Sequence, residues 1–176
     1  DRMAPHVRYA DQAVGLGADV PEDSYLHIPK LIDAARRTGA DTVHPGYGFL
    51  AENAEFASAC GDAGLLFVGP PPEVINLMGG KIAARQAAQK AGVPLVPGTE
   101  SPIDASLTDA DVLTIAETVG FPLFVKAVAG GGGKGMRLVE DSSTLAGAIR
   151  AAQSEAQGAF GNSAIYLERS VSPARH

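Results

Sequence analysis

Two lysines flanking a run of glycines are the residues here whose types and spacing point to chemistry. Lys126 ends an apolar stretch that begins at Phe121. Gly130, Gly131, Gly132 and Gly133 follow, then Lys134, Gly135 and a second apolar run, Met136-Arg137-Leu138-Val139. Glycine buries no side chain and loses the most backbone entropy on folding, so four in succession serve access rather than packing. Such a backbone takes positive φ readily and offers its N–H groups to an anion with no Cβ in the way. Ammonium groups add full positive charge, and the combination suits a ligand with several phosphates. A flexible surface hairpin is the competing reading of the same stretch. A P-loop is excluded: Gly130 to Lys134 lacks its spacing, and an extended run rather than a helix follows. The dinucleotide fingerprint needs a helix at the same place and is excluded too. A third lysine, Lys81, opens an alanine-rich helical run after Met78-Gly79-Gly80. The helix dipole disfavours a cation there, so the residue either meets an anion or is simply solvated.

The elements that must position these residues fall into two patterns. Over residues 1–79 helical and extended stretches alternate. Residues 5–10 read as a helical turn and 13–16 as a short strand. Ser24 precedes a helix over 28–37, in which Ile28, Leu31, Ile32 and Ala35 trace one face and Gly39 is the stop signal. Residues 41–44 read as a strand, Asn53 as the cap of a helix over 54–63, and 65–69 as the next buried strand. This alternation predicts a parallel α/β sheet, which binds ligands at the carboxyl ends of its strands, where residues 44–52 lie. A short helix over 73–78 and the helix from Lys81 come next, and an extended linker covers 93–98. Beyond it the spacing predicts a helix over 108–119, strands over 122–128 and 136–139, a helix over 142–158 with Ser142 as N-cap, and a strand over 164–168. That order is α+β.

Composition narrows the classes. A 45% hydrophobic content suits a globular protein, and the net charge of −6 argues against nucleic acid as a partner. No apolar run is long enough to cross a bilayer and no signal-peptide pattern opens the chain. The single cysteine, Cys60, cannot form an internal disulfide and reads as a space-filling residue. Together these features suggest the cytoplasm. The chain begins at Asp1 and ends at His176, and both ends read as those of a fragment.

Several separate segments resemble the biotin carboxylase component of biotin-dependent carboxylases, members of the ATP-grasp superfamily. They are His44-Pro45-Gly46-Tyr47-Gly48-Phe49-Leu50-Ala51-Glu52-Asn53, then Met78-Gly79-Gly80-Lys81, and Ala91-Gly92-Val93-Pro94-Leu95-Val96-Pro97-Gly98. Lys126-Ala127 through Met136, Glu155-Ala156 with Ala159-Phe160-Gly161-Asn162, and Tyr166-Leu167-Glu168-Arg169 leading to Arg175-His176 complete the set. The first string is the most specific, because the wider superfamily shares the glycine flap but not those ten residues. Val128, where the family usually has serine, and Ala174, where it often has proline, are small departures.

The resemblance implies a truncated Rossmann-like N-terminal domain over 1–79, a linker helix over 80–96, and part of an ATP-grasp lid with the start of its hinge over 97–176. It implies that Lys81 and Lys126 approach the α- and β-phosphates of ATP while the loop Gly130–Gly133, Lys134 and Gly135 closes over them. Met136 would pack on adenine, and Glu168, Arg169 and Val171 would form the hinge strand, reading the adenine edge mainly through backbone atoms. His176 would lie near the ribose and α-phosphate, and Tyr47 near the biotin ring with Glu52 beside it. The implied reaction phosphorylates bicarbonate with ATP and passes the carboxyl group to biotin on a carrier domain. A separate carboxyltransferase then chooses the final acceptor among acyl-CoA, pyruvate or urea. The family's magnesium ligands and bicarbonate-anchoring arginine would lie beyond this stretch, so the isolated 176 residues are expected to turn over weakly or not at all. The intact component is expected to be a homodimer. A carbamoyl-phosphate-synthetase-like ligase and a non-catalytic nucleotide-binding module are the alternatives, and the string from His44 to Asn53 favours biotin.

Overall fold

The computed structural model describes residues 2–17, 19–103, 106–129 and 135–174. The chain is mixed α/β and divides into two units, residues 1–79 and 80–176.

In the first unit, α1 (Pro5–Tyr9) and α2 (Ile28–Thr38) precede β1 (Thr42–Val43), α3 (Ala54–Asp62), β2 (Leu66–Phe67) and α4 (Pro72–Gly79). β1 and β2 pair in parallel, with Thr42 opposite Leu66 and Val43 opposite Phe67. Ile28, Leu31, Ile32 and Ala35 of α2 pack on buried Leu50, Phe56, Cys60 and Leu65, so the apolar face read from spacing is the face that docks. Asn53 caps α3 by accepting the Phe56 N–H at 2.7 Å. Gly39 ends α2 in the left-handed region at φ 69°, where a Cβ would be strained. α2 is capped by His27, whose Nδ1 accepts the Lys30 N–H at 3.3 Å, while the Ser24 hydroxyl donates to the Val20 carbonyl. Residues 13–16 form no strand, because no described neighbour offers them a ladder and an unpaired extended segment is not stable.

In the second unit, α5 (Lys81–Lys90) and α6 (Asp109–Val119) precede β3 (Leu123–Ala127), β4 (Met136–Val139), α7 (Leu145–Phe160) and β5 (Ile165–Arg169). The sheet runs β4-β3-β5 with antiparallel neighbours, and β3–β4 is the hairpin that the sequence predicts. Residues 97–103 line the far side of β5, where Thr99 N–H donates to the Leu167 carbonyl at 2.9 Å.

Strand alternation sorts the side chains onto two faces. Leu123, Val125, Val139, Ile165 and Leu167 are buried against Val112, Ala116 and Val119 of α6 and Leu145, Ile149 and Ala152 of α7. Phe124, Lys126, Met136, Leu138, Tyr166 and Glu168 therefore share the opposite face. The helix expected from Ser142 begins later. Asp141 accepts the Ser143 N–H at 2.8 Å and caps a 3-10 turn over Ser142–Thr144, from which α7 starts. Carboxylate is the better acceptor, and it stands one residue earlier. α7 then runs through Gly158 to Gly161, whose φ of 67° ends it.

No helix among the described residues is long and apolar enough to cross a membrane.

Candidate functional site: a cation cluster on the open face of the three-stranded sheet

The open face of the β4-β3-β5 sheet gathers charge. Lys126 of β3 pairs with Met136 on one side and Tyr166 on the other, and Glu168 lies diagonally across on β5. The Lys126 ammonium donates to Glu168 Oε1 and lies 5.6 Å from the centre of the Phe124 ring. Arg85 of α5 reaches the same carboxylate from another side, its Nη1 3.0 Å from Oε2, while Nη2 donates to the Val96 carbonyl at 2.7 Å. Lys81, one turn earlier on α5, donates to the Ala127 carbonyl at 2.7 Å, at the root of the hairpin loop.

These groups are half-buried, with side-chain exposures of 16% for Arg85, 18% for Glu168 and 23% for Lys126. Burial, and then the nearby charge of Lys126, holds the Lys81 ammonium below the usual lysine range. Burial pushes the Tyr166 hydroxyl up, and the Glu168 carboxylate adds to that shift. Among the described residues one carboxylate pairs with two cations, Arg85 and Lys126, while Lys81 stands near Lys126 and donates to a carbonyl, so the cluster carries a surplus of positive charge in a chain whose net charge is −6. Half-buried cations without enough counter-ions are costly by themselves and are relieved by an anion. What this arrangement can do is bind a multiply charged anion.

α5 has no buried residue and rests on polar contacts. Besides Lys81 and Arg85, Gln86 donates to the Glu100 carbonyl and Gln89 to its carboxylate, each at 3.0 Å. The close approach of Arg85 depends on Gly98. A Cβ there would lie 2.9 Å from Arg85 Nη2 and 2.7 Å from the Leu167 carbonyl oxygen. Gly135 closes the hairpin at φ 68°, where a Cβ would meet that of Ala127 at 2.9 Å. Here the requirement for glycine is both steric and conformational.

Of the residues singled out from sequence, the structure brings together Lys81, Lys126 and Glu168. Met136 stands beside Lys126 with 46% of its surface exposed. Glu168 meets the lysine through its carboxylate, whereas the sequence reading emphasised its backbone. The Arg169 N–H is taken by the Pro97 carbonyl at 2.8 Å, and Val171 is exposed beyond the end of β5. Gly130, Gly131, Gly132, Gly133, Lys134 and His176 lie outside the described residues. Tyr47 and Glu52 are exposed in the turn after β1, with Tyr47 95% exposed. In that turn Gly46, Gly48 and Phe49 all have positive φ, at 68°, 72° and 41°. The sequence reading missed Arg85. Its signal was available: four residues after Lys81 it falls on the same helical face.

Among the described residues, no group of three or more His, Cys, Asp or Glu side chains converges to hold a metal ion.

Fold and charge thus define a mixed α/β protein with a cationic sheet face. Comparison with known proteins specifies it further. Residues 1–75 match the family model "Biotin carboxylase, N-terminal domain" and residues 80–176 match "Carbamoyl-phosphate synthase L chain, ATP binding domain". The biotin carboxylase of Nostoc sp. is 48% identical over 176 residues, covering all of this chain and 39% of that protein. The mitochondrial pyruvate carboxylase of Mus musculus is 49% identical over 172 residues, 97% of this chain and 14% of that one. Among solved structures, a Campylobacter jejuni biotin carboxylase described as a β-γ-ATP complex superposes with a TM-score of 0.81 at 40% identity, covering 94% of this chain and 36% of that one. The biotin carboxylase domain dimer of Hydrogenobacter thermophilus 2-oxoglutarate carboxylase, in complex with MgADP, ADP and bicarbonate, gives 0.80 at 39% identity, covering 97% and 37%. The chain belongs to the biotin carboxylase family. It spans 39% of the length of the Nostoc relative.

Proposed function

We propose that this chain supplies part of the ATP site of a biotin carboxylase, an ATP-dependent ligase that carboxylates biotin on a carrier domain. The observation that carries the reading is the half-buried cation cluster on the open sheet face, with Lys81 and Lys126 close enough for one to depress the pKa of the other. The family membership of both segments supports it.

In this reading Lys81 and Lys126 neutralise the α- and β-phosphates, and the backbone of residues 130–135 completes the cradle. Met136 packs on the adenine, the Glu168–Arg169–Val171 stretch borders it, and His176 attends the ribose side. A bicarbonate oxygen attacks the γ-phosphorus and the bond to ADP breaks, leaving carboxyphosphate. The biotin nitrogen then takes the carboxyl group, releasing phosphate and a proton. Positioning and charge neutralisation are most of what phosphoryl transfer needs from the protein. Magnesium, when bound, would add charge to the phosphates. Tyr47 and Glu52 are assigned to the biotin side, and a carboxyltransferase is the downstream partner. Residues 1–79 act as the N-terminal α/β domain, 80–96 as a linker helix and 97–176 as the lid with its hinge. The match of residues 1–75 to a biotin carboxylase domain favours this reading over a carbamoyl-phosphate-synthetase-like ligase.

Calorimetric titration of the purified protein with ATP, ADP and adenosine tests the reading. ATP is expected to bind at least about tenfold more tightly than adenosine, because the cluster acts on phosphates. Equal affinities for the two would overturn it.

The lowered pKa of Lys81 adds a pH dependence. The protonated form holds phosphate. As pH rises through the lowered pKa, Lys81 loses its proton and ATP affinity falls, earlier than an ordinary lysine would allow. A bound polyphosphate opposes that loss, so binding takes up protons in this window. Lys81→Arg, which keeps its charge, is expected to flatten the fall measured from about pH 7 to about pH 10. An unchanged pH profile in that variant would show that Lys81 is not the titrating group.

A further inference from the structure

Glu168 is a shared residue, and its two partners are held very differently. Arg85 is anchored twice, through Nη1 to Glu168 at 3.0 Å and through Nη2 to the Val96 carbonyl at 2.7 Å. Gly98 provides the space for that guanidinium, since a Cβ would come within 2.9 Å of Nη2. The fork geometry of arginine suits such a fixed, two-point post. Lys126 instead carries a point charge on a flexible stem, and the protein acceptor it contacts is Glu168 Oε1. The two cations occupy different oxygens of the carboxylate, so either can leave without displacing the other.

This asymmetry matters once Lys126 is asked to turn toward a phosphate. The Glu168 side chain is only 18% exposed, so water alone compensates it poorly. Left without a counter-ion it would pull Lys126 back and repel the incoming anion. We propose that Arg85 is a positioning residue for nucleotide binding: it keeps Glu168 paired while Lys126 is handed from the carboxylate to the phosphates. This rests on the phosphate-binding reading of Lys126 given above. Arg85 itself stays on Glu168 and Val96 and touches no phosphate.

The handover predicts a ligand-specific defect. Arg85→Met is expected to weaken ATP binding about tenfold, because Lys126 then has to leave an otherwise unpaired carboxylate. Adenosine has no phosphate for Lys126 to reach, and its affinity should stay within about twofold. Removing the charge of Glu168 removes the need for its partner, so Arg85→Met/Glu168→Gln should bind ATP within about threefold of Glu168→Gln alone. Arg85→Lys, which can hold Glu168 or Val96 but not both, should give a smaller loss and carries the test if Arg85→Met does not fold. In that case the Arg85→Lys/Glu168→Gln pair replaces the first double variant.

The experiment is calorimetric titration of each purified variant with ATP and with adenosine, beside thermal melts. ATP affinity unchanged in the Arg85 variants overturns the handover. So does an equal loss for ATP and adenosine, which would make Arg85 merely structural, and so does a double variant as weak as its Arg85 parent. Failure of the underlying reading looks different: Lys126→Met would then bind ATP like the unaltered protein.

Discussion

Replacing Lys126 with methionine is expected to weaken ATP binding about a hundredfold, equivalent to about 2.7 kcal/mol. The ammonium is half-buried on the open sheet face, where removing one partner of a hydrogen-bonded charge pair costs about 2–5 kcal/mol. Two effects combine. The contact to phosphate is lost, and Glu168 keeps its negative charge with Arg85 as its one remaining named partner. Methionine preserves an unbranched apolar stem beside Phe124, so the strand should keep its packing. Titration with ATP and adenosine measures the effect, with a thermal melt to verify folding. A folded variant that binds ATP within about threefold of the original would remove Lys126 from the site. Lys126→Arg should recover part of the affinity, since the charge remains but its position changes.

The largest stability effect is expected from Leu167→Ala, at about 3 kcal/mol. Leu167 is fully buried, stands in the middle of β5 and is paired with Val125. Its side chain belongs to the cluster shared with α6 and α7, and its carbonyl accepts the Thr99 N–H at 2.9 Å. Truncation leaves a cavity between sheet and helices that a close-packed core fills only in part. For a unit of 97 residues this corresponds to a drop in melting temperature of roughly 12–24 °C. The adjacent residue on the strand is Glu168, on the opposite face, so the substitution separates core from site. ATP affinity measured well below the melting temperature should change less than about threefold, whereas urea unfolding should shift strongly. A cost below about 1 kcal/mol would mean that the core collapses around the gap far better than its packing implies.

Much of the fold was legible because it follows from local rules. The period of Ile28, Leu31, Ile32 and Ala35 made the docking face of α2 readable, and Asn53 and Gly39 marked helix ends through their own backbone chemistry. The hairpin was readable because two apolar runs flank a glycine-rich connection. The misreadings have equally local causes. Ser142 resembled a cap until Asp141 proved the acceptor, and residues 13–16 resembled a strand because a sequence window cannot reveal a missing ladder partner.

The site divides along the same line. Residue type and spacing marked Lys81, Lys126 and Gly135, because charge and conformational freedom are properties of single residues. Arg85 went unnoticed, since an arginine in an alanine-rich helix is ordinary until Gly98 opens the way and Glu168 meets it across 83 positions. By itself, then, the sequence determined which groups carry charge, where the backbone turns, and which family the chain resembles. Only the tertiary structure decided that one carboxylate serves two cations. That outcome depends on strand register, which sets the face that each side chain joins, and register is settled by pairing between distant segments rather than within any one of them.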